Sequence, residues 1–506
     1  MSETSEEPLD LSHVRIDPAV ALVLPATLSK RRKLLPFARL EGVVCVACAN
    51  PADVAAQRAV QRHFGEPVRF VPAELKSLEA ALERTYGDDP GGGRGSASLR
   101  APGGARPTGT LRRGLAEAPD EDAVSLCNEL LRAAILRQAS DVHIDPQREG
   151  VRVRLRCDGV LEDYATLETS VLAGLMSRFK VLAGMDIAEK RAPQDGRFSH
   201  DYGASQSLEL RAATLPTKYG ERLTLRLLAL QTESLTLEKL GLEAGPLERV
   251  DRNLARPHGL ILVTGPTGSG KSTTLYAGLR RLLAGRALNA ITVEDPIEFD
   301  IDGVAQVEVD STDKVSFGRA LRSILRHDPD VIMIGEIRDR ETADVAIKAA
   351  LTGHLVLSTL HTNTAAGAVT RLIDMGVERY LVAATLRLAV AQRLARRLCQ
   401  RCRVPQTLEL AEATLFGLPE AAGETIYAPG GCLYCGGRGL SGRTGLFELL
   451  EVTRVWNERI ASGADEATLI AAMQADGIPT LGQAALAALR SGEIPLTEAA
   501  GAVATW

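Results

Sequence analysis

Short apolar runs recur through the second half of the chain, among them Leu260-Ile261-Leu262-Val263, Ile291-Thr292-Val293, Val331-Ile332-Met333-Ile334 and Leu355-Val356-Leu357. Helix-like stretches separate them; Lys271 to Ala284, for example, lacks proline and stops at Gly285. Apolar strands alternating with helices predict a mostly parallel α/β sheet over about residues 233–506. Between about 111 and 232 the pattern differs. A helical stretch, Ala123 to Gln138, precedes alternating segments such as Val151-Arg152-Val153-Arg154-Leu155-Arg156, and this period of two predicts a half-exposed sheet whose polar face is basic. Residues 1–86 mix strand-like runs, including Val43 to Ala49, with helical ones, and form a first domain. One helix there is expected to start with Asn50 as its cap and Pro51 at its first position, and to end at Gly65. The stretch 87–110 is rich in glycine and proline with almost no large apolar residue, which predicts a flexible linker and a tethered, mobile first domain.

At 506 residues the chain is long enough for several domains. Its 59 Lys and Arg against 64 Asp and Glu leave a net charge of −5, which argues against a nucleic-acid binder. No apolar run approaches the roughly 18 residues a membrane span needs, and the acidic start (Glu3, Glu6, Glu7, Asp10) does not read as a secretory leader. The expectation is a cytosolic protein whose eight cysteines are reduced thiols or metal ligands.

The strand ending at Val263 runs directly into Gly265-Pro266-Thr267-Gly268-Ser269-Gly270-Lys271-Ser272, with Thr273 following at the start of the next helix. This is the pattern of a nucleotide phosphate loop. Glycines let backbone N–H groups turn inward around the phosphates, Lys271 reaches the β and γ oxygens, and the Ser272 hydroxyl binds Mg²⁺. The helix after the loop offers its N-terminal dipole to the anion.

Two other strands end in acids: Val293 leads into Glu294-Asp295-Pro296-Ile297-Glu298, and Ile334 into Gly335-Glu336. In a parallel sheet both sets fall on the same edge as the phosphate loop. Phosphoryl transfer to water needs a cation between the β and γ phosphates and a group that orients the water. We assign Glu336 to the Mg²⁺ shell and Glu298 to the water, with the reverse assignment open and loop capping as the simpler alternative. His361 after the Leu355 strand is a candidate contact for the γ-phosphate, and His354 before that strand a weaker one.

With these residues in view, the chain resembles the secretion ATPases of the type II secretion and type IV pilus superfamily. The matching stretches are Ala139 to Ile144, Lys190 to Arg197, the phosphate loop, Glu294 to Glu298, Asp328 to Asp339 and Leu351 to Asn363, covering roughly residues 110–500. Asp145 stands where the family usually has glutamate, and Leu440 where an aromatic residue is common. The resemblance implies a RecA-like P-loop motor, a PAS-like α+β middle domain, a small N-terminal α/β domain and a zinc-binding insert over about 395–447, followed by C-terminal helices. It also implies a homo-hexamer on the cytoplasmic face of the inner membrane that hydrolyses ATP to assemble a pseudopilus for protein export. The first domain would dock on inner-membrane platform proteins. Arg197 and Arg211 of the middle domain would reach a nucleotide held by the motor, with Arg191 and Arg222 as further candidates; salt bridges on the basic sheet face are the plainer reading. A pilus or competence motor is the nearest alternative, a DNA-translocating ring or a scaffold without turnover more distant ones.

Cysteines occur in two close pairs, Cys399 with Cys402 and Cys432 with Cys435. Two such pairs suit a tetrahedral zinc cage inside a larger insertion, and the family resemblance supports zinc. Cys45 and Cys48 have the same spacing without a second pair and read as core thiols, while Cys127 and Cys157 receive no role. Arg393, Arg396, Arg397, Arg401 and Arg403 invite a reading as an anionic-lipid patch, against a solvated helix face or a subunit contact.

Overall fold

The computed structural model describes residues 8–12, 14–87, 119–202, 207–228, 236–309, 316–415 and 419–503. The stretch expected as a linker lies outside them, apart from Gly87. The chain forms two compact units, one of residues 1–230 with 430–439, the other of residues 231–429 with 440–506.

In the first unit, strands β1 (Leu34–Leu40), β2 (Val43–Cys48) and β3 (Val68–Pro72) form a small mixed sheet, with β2 antiparallel to β1 and parallel to β3. The helix Val54–Phe64 ends at Gly65 in the left-handed conformation, as expected, but begins three residues later than the sequence suggested. Its cap is Asp53, whose carboxylate accepts from the Ala56 N–H at 3.0 Å. Asn50 instead accepts from the Ala52 N–H in the preceding turn. A charged acceptor at the positive helix end outcompetes the amide. Cys45 and Cys48 belong to two different apolar clusters, because residues three apart in a strand point to opposite faces. Burial raises both thiols, Cys48 to about 11, which fits inert core thiols.

The same unit holds a six-stranded antiparallel sheet in the order β6-β5-β4-β9-β8-β7. Its strands are β4 (Ala139–Gln147), β5 (Gly150–Cys157), β6 (Val160–Leu167), β7 (Gln194–Asp201), β8 (Ser207–Thr217) and β9 (Gly220–Leu227). Period-two patterning buries Val142, Ile144, Val153, Leu155, Leu210 and Leu225 with Leu131 and Phe179 of the helices Pro119–Leu136 and Leu172–Leu182. The opposite, polar face is less basic than the sequence suggested, because acids interleave with the arginines. Asp145 pairs with Arg154 at 2.6 Å and Arg222 at 2.8 Å, Asp141 with Arg226 at 2.9 Å, and Asp163 with Arg152 at 2.7 Å.

The second unit is built on a seven-stranded sheet, β12-β11-β13-β14-β10-β15-β18. These strands are β10 (Gly259–Thr264), β11 (Ala290–Glu294), β12 (Val304–Glu308), β13 (Val331–Ile334), β14 (Leu355–Leu360), β15 (Leu386–Leu398) and β18 (Leu440–Glu451). All neighbours run parallel except the pair β15 and β18. A two-stranded ribbon, β16 (Val404–Thr407) with β17 (Thr425–Ala428), lies between β15 and β18 in sequence. Residues of β10, β11, β13 and β14 are almost wholly buried, as strands covered on both faces must be. The parallel registers set Val293 beside Ile334, Ile334 beside Ser358, and Thr359 beside Val263. Every strand that carries a candidate residue at its carboxyl end therefore delivers it to one edge.

Candidate functional site

The phosphate loop leaves β10 and feeds the helix Lys271–Ala284. Glycine is required where the loop passes close to other atoms: a Cβ on Gly265 would lie 2.5 Å from the Gln392 carbonyl oxygen and 2.6 Å from Ser269 Oγ. Gly270 has φ 86° and faces the Gln392 side-chain amide. Lys271 is 8% exposed and curls over its own loop, its Nζ donating to the carbonyls of Gly265 at 2.9 Å and Pro266 at 3.0 Å. Burial pulls its ammonium below the ordinary lysine value, and the Glu336 carboxylate opposes that shift. The buried Ser269 hydroxyl has no hydrogen-bond partner, although a buried polar group normally has one. Pro266, Thr267 and Gly268 are exposed, and Ser272 and Thr273 half-buried, at the mouth of the loop. A pre-curved loop, a lysine and an unsatisfied hydroxyl at a helix N-terminus suit a polyphosphate.

The acids flank this loop. Glu336, beyond β13, accepts from Arg338 and is 2.9 Å from His361 Nε2. Burial pushes its carboxyl up, but the hydrogen bonds from Arg338 and His361 outweigh that and hold it below the ordinary carboxylate value. An ionised oxygen donor of this kind suits Mg²⁺. Glu298 lies on the exposed loop after β11, close enough to Lys271 for their charges to interact. Its neighbour Glu294 is buried and accepts from Tyr276, Thr292 and Gln306. His361 thus reaches the site edge, held against Glu336. His354 does not. It precedes β14 at the opposite edge, where its carbonyl accepts from Gly259 N–H and its ring lies against Ala349 and Thr352.

Several residues that sequence reasoning missed hold the site together. Thr264 Oγ1, at the end of β10, accepts from the Thr362 N–H at 2.8 Å and lies 2.7 Å from the Thr362 hydroxyl. Gln392 of β15 accepts from Thr274 at 2.7 Å, and Arg393 donates to Asn363. The signal for Gln392 was present: with Arg393 it interrupts the apolar residues Leu388 to Ala391 and Leu394 to Ala395.

The arginine cluster departs from the lipid-patch reading. Arg393 is buried, Arg396 pairs with Glu498 at 2.8 Å and Arg397 with Glu493 at 3.3 Å. Arg403 donates to the carbonyls of Ser491 and Gly492 and stacks over Tyr427. Arg396, Arg397 and Arg403 fasten β15 and its continuation to the C-terminal helical segment, and Arg393 holds Asn363. Arg197 and Arg211 lie directly opposite each other on β7 and β8, in the first unit. Residues across an antiparallel pair share a face, and Arg226 and Arg156 continue that row with Asp141 between them. Arg222 is taken up by Asp145. Arg191 sits on an exposed turn organised by the Glu189 carboxylate.

The sulfurs of Cys399, Cys402, Cys432 and Cys435 all lie within 4.8 Å of one another. Cys432 Sγ and Cys435 Sγ are 3.8 Å apart, far beyond a disulfide bond and equal to the edge of a tetrahedron with metal–sulfur bonds of about 2.3 Å. Cys435 Sγ accepts backbone N–H groups from Cys432 at 3.3 Å and Gly439 at 3.1 Å. The donor set and spacing fit zinc. Among the described residues, no helix is long and apolar enough to cross a membrane.

Comparison with known proteins agrees with this geometry. Residues 117–501 match the type II/IV secretion system protein family, and residues 6–92 match the MshEN domain. The type II secretion system protein E of Klebsiella pneumoniae is 42% identical over 465 residues, spanning 88% of this chain and 92% of that protein. The type IV pilus assembly ATPase PilB of Myxococcus xanthus is 37% identical over 505 residues, 97% of this chain and 88% of that one. Among solved structures, the pilus retraction motor PilT with bound ADP superposes with a TM-score of 0.52 at 28% identity, covering 74% of this chain and 96% of that chain.

Three outcomes are expected. Lys271→Ala abolishes nucleotide binding or turnover, whereas Glu298→Gln still binds a fluorescent ATP analogue and loses turnover by about 10² or more, as read by phosphate release; wild-type turnover in Glu298→Gln contradicts its assignment. Cys432→Ser lowers zinc per chain measured by elemental analysis, and full occupancy in that variant excludes the four-cysteine site.

Proposed function

Because the chain belongs to the type II/IV secretion system protein family and is an ATP-hydrolysing enzyme of that family, we propose that it is the motor of a type II secretion system. In this reading it works as a homo-hexamer on the cytoplasmic face of the inner membrane, drives pseudopilus assembly and so powers protein export across the outer membrane. The observation that carries the proposal is the convergence of the Lys271 loop, the Glu336–His361 pair and the Glu298 loop on one sheet edge.

Lys271 and the loop N–H groups would hold the β and γ phosphates. Magnesium, when bound, neutralises charge between those phosphates, and Ser272 with Glu336 would hold it. Glu298 would orient the attacking water, and His361 would contact the γ-phosphate while tied to Glu336. The exchange of roles between Glu298 and Glu336 remains the alternative. Arg197 and Arg211 of a neighbouring copy would stabilise charge on the transferring phosphoryl group, an effect worth about 10³ to 10⁵ in rate where such arginines act. The four cysteines would hold a structural zinc ion, which supplies on the order of 10 kcal/mol to the folding of such insertions. The domain boundaries proposed are 1–86 for a partner-docking domain, 87–110 for a linker, 111–232 for the arginine-bearing domain and 233–506 for the motor. Membrane association would come through inner-membrane platform proteins.

A pilus-assembly motor is the second reading, favoured by the 37% identity to PilB over 97% of this chain. A chromosomal Lys271→Ala replacement separates the two. Exoproteins trapped in the periplasm with surface pili intact are the expected result, and lost pili with normal secretion would assign the chain to pilus assembly.

A further inference from the structure

Glu298 presents its side chain from an exposed loop, yet a group that orients water must be held to a fraction of an ångström. The clamp on that loop comes from the helix that begins at Lys271. Tyr276, five residues after Lys271 in that helix, is 3% exposed. Its hydroxyl donates to Glu294 Oε2 and accepts from the Glu298 backbone N–H at 3.3 Å. The other Glu294 oxygen accepts from Thr292 Oγ1 at 2.6 Å and Gln306 Nε2 at 3.2 Å. Gln306 then ties down the rest of the loop: its Nε2 donates to the Phe299 carbonyl at 2.9 Å and its Oε1 accepts from the Ile301 N–H at 2.8 Å. The Phe299 ring packs edge-on against Tyr276, with centroids 5.3 Å apart at 65°. Residues 298, 299 and 301 are thus fastened through their backbones. Burial, with the Glu294 charge adding to it, pushes the Tyr276 phenol up, so it stays a donor throughout the working pH range.

We propose that Tyr276, acting through Glu294 and Gln306, is a positioning residue that sets Glu298 relative to the phosphate loop. The proposal rests on the reading of Glu298 as the group that orients water. The physical reason is economy of linkage. The helix that receives the phosphates at its N-terminus also holds the backbone of the residue that faces them, so the two halves of the site share one rigid element. The effect of the phenol is transmitted through the Glu298 main chain.

The test uses full-length protein and separates turnover from binding. Tyr276→Phe keeps the ring against Phe299 and removes only the hydroxyl, and Gln306→Ala, on the edge strand β12, releases the same loop from its other side. Both are expected to lower kcat for ATP about tenfold or more with KM and the affinity for a fluorescent ATP analogue within about twofold of wild type, since a misplacement of about 1 Å can cost about 10² in rate. In the double variant Tyr276→Phe with Glu298→Gln, the tyrosine change is expected to add less than twofold. Leu282→Ala, in the apolar core under the same helix, is the destabilised control expected to keep its kcat at temperatures where it stays folded. Should Tyr276→Phe fail to fold, Gln306→Ala carries the same comparison. Wild-type kcat in Tyr276→Phe or Gln306→Ala, a kcat loss in Leu282→Ala matching theirs, or full multiplication of losses in the double variant overturns the proposal. Wild-type turnover in Glu298→Gln overturns the underlying reading instead, so the two failures are distinguishable.

Discussion

Parallel hydrogen-bonded register between β10, β11, β13 and β14 is the constraint on which the candidate site depends. Each of these strands is short and buried, and each ends in a loop with chemical groups: the phosphate loop after Thr264, Glu298 after Glu294, Glu336 after Ile334 and His361 after Leu360. Because the strands run the same way, their carboxyl ends share an edge, and residues separated by up to a hundred positions converge there. A slip in any one ladder would withdraw one chemical group from the set.

Alignment of strands does not by itself fix side chains, and buried polar links supply the finer placement. Thr264 joins the end of β10 to Thr362, and Arg393 joins β15 to Asn363. Glu448 on β18 accepts from the Ala365 N–H at 2.8 Å and the Leu481 N–H at 3.1 Å, so one carboxylate caps the helices Ala365–Asp374 and Leu481–Arg490. Burial raises the Glu448 carboxyl, against those two N–H donors that favour its charged form. Glu466 accepts from Thr364 at 2.7 Å in the same neighbourhood. The C-terminal helices therefore reach the loop that carries His361 through hydrogen bonds to Glu448 and Glu466, which depend on geometry more steeply than apolar packing does.

Much of this site was legible from the chain because its chemistry demands particular residue types in particular places. Glycines at close approaches, a lysine and hydroxyl at a helix start, and acids after apolar strands are what a polyphosphate held at a sheet edge would require. What stayed hidden depends on tertiary partners. Nothing local distinguishes Asn50 from Asp53 as a helix cap except the strength of a charged acceptor, and the helix begins at Asp53. A run of arginines reads as an open patch until Glu493, Glu498 and the carbonyls of residues 491 and 492 come to it from about ninety to a hundred residues away. Cys45 and Cys48 share the spacing of the metal pairs, but a flat strand turns them to opposite faces, whereas Cys432 and Cys435 sit on a glycine-rich turn that brings their sulfurs together.

The most direct test of the account is an experimental structure of the full chain with Mg²⁺ and a non-hydrolysable ATP analogue. The expected density has Lys271 on the β and γ oxygens, Glu336 within the magnesium shell and Glu298 hydrogen-bonded to a water in line with the γ-phosphorus. A nucleotide seated on the loop with both carboxylates turned away from its γ-phosphate, or a nucleotide bound elsewhere, would contradict it.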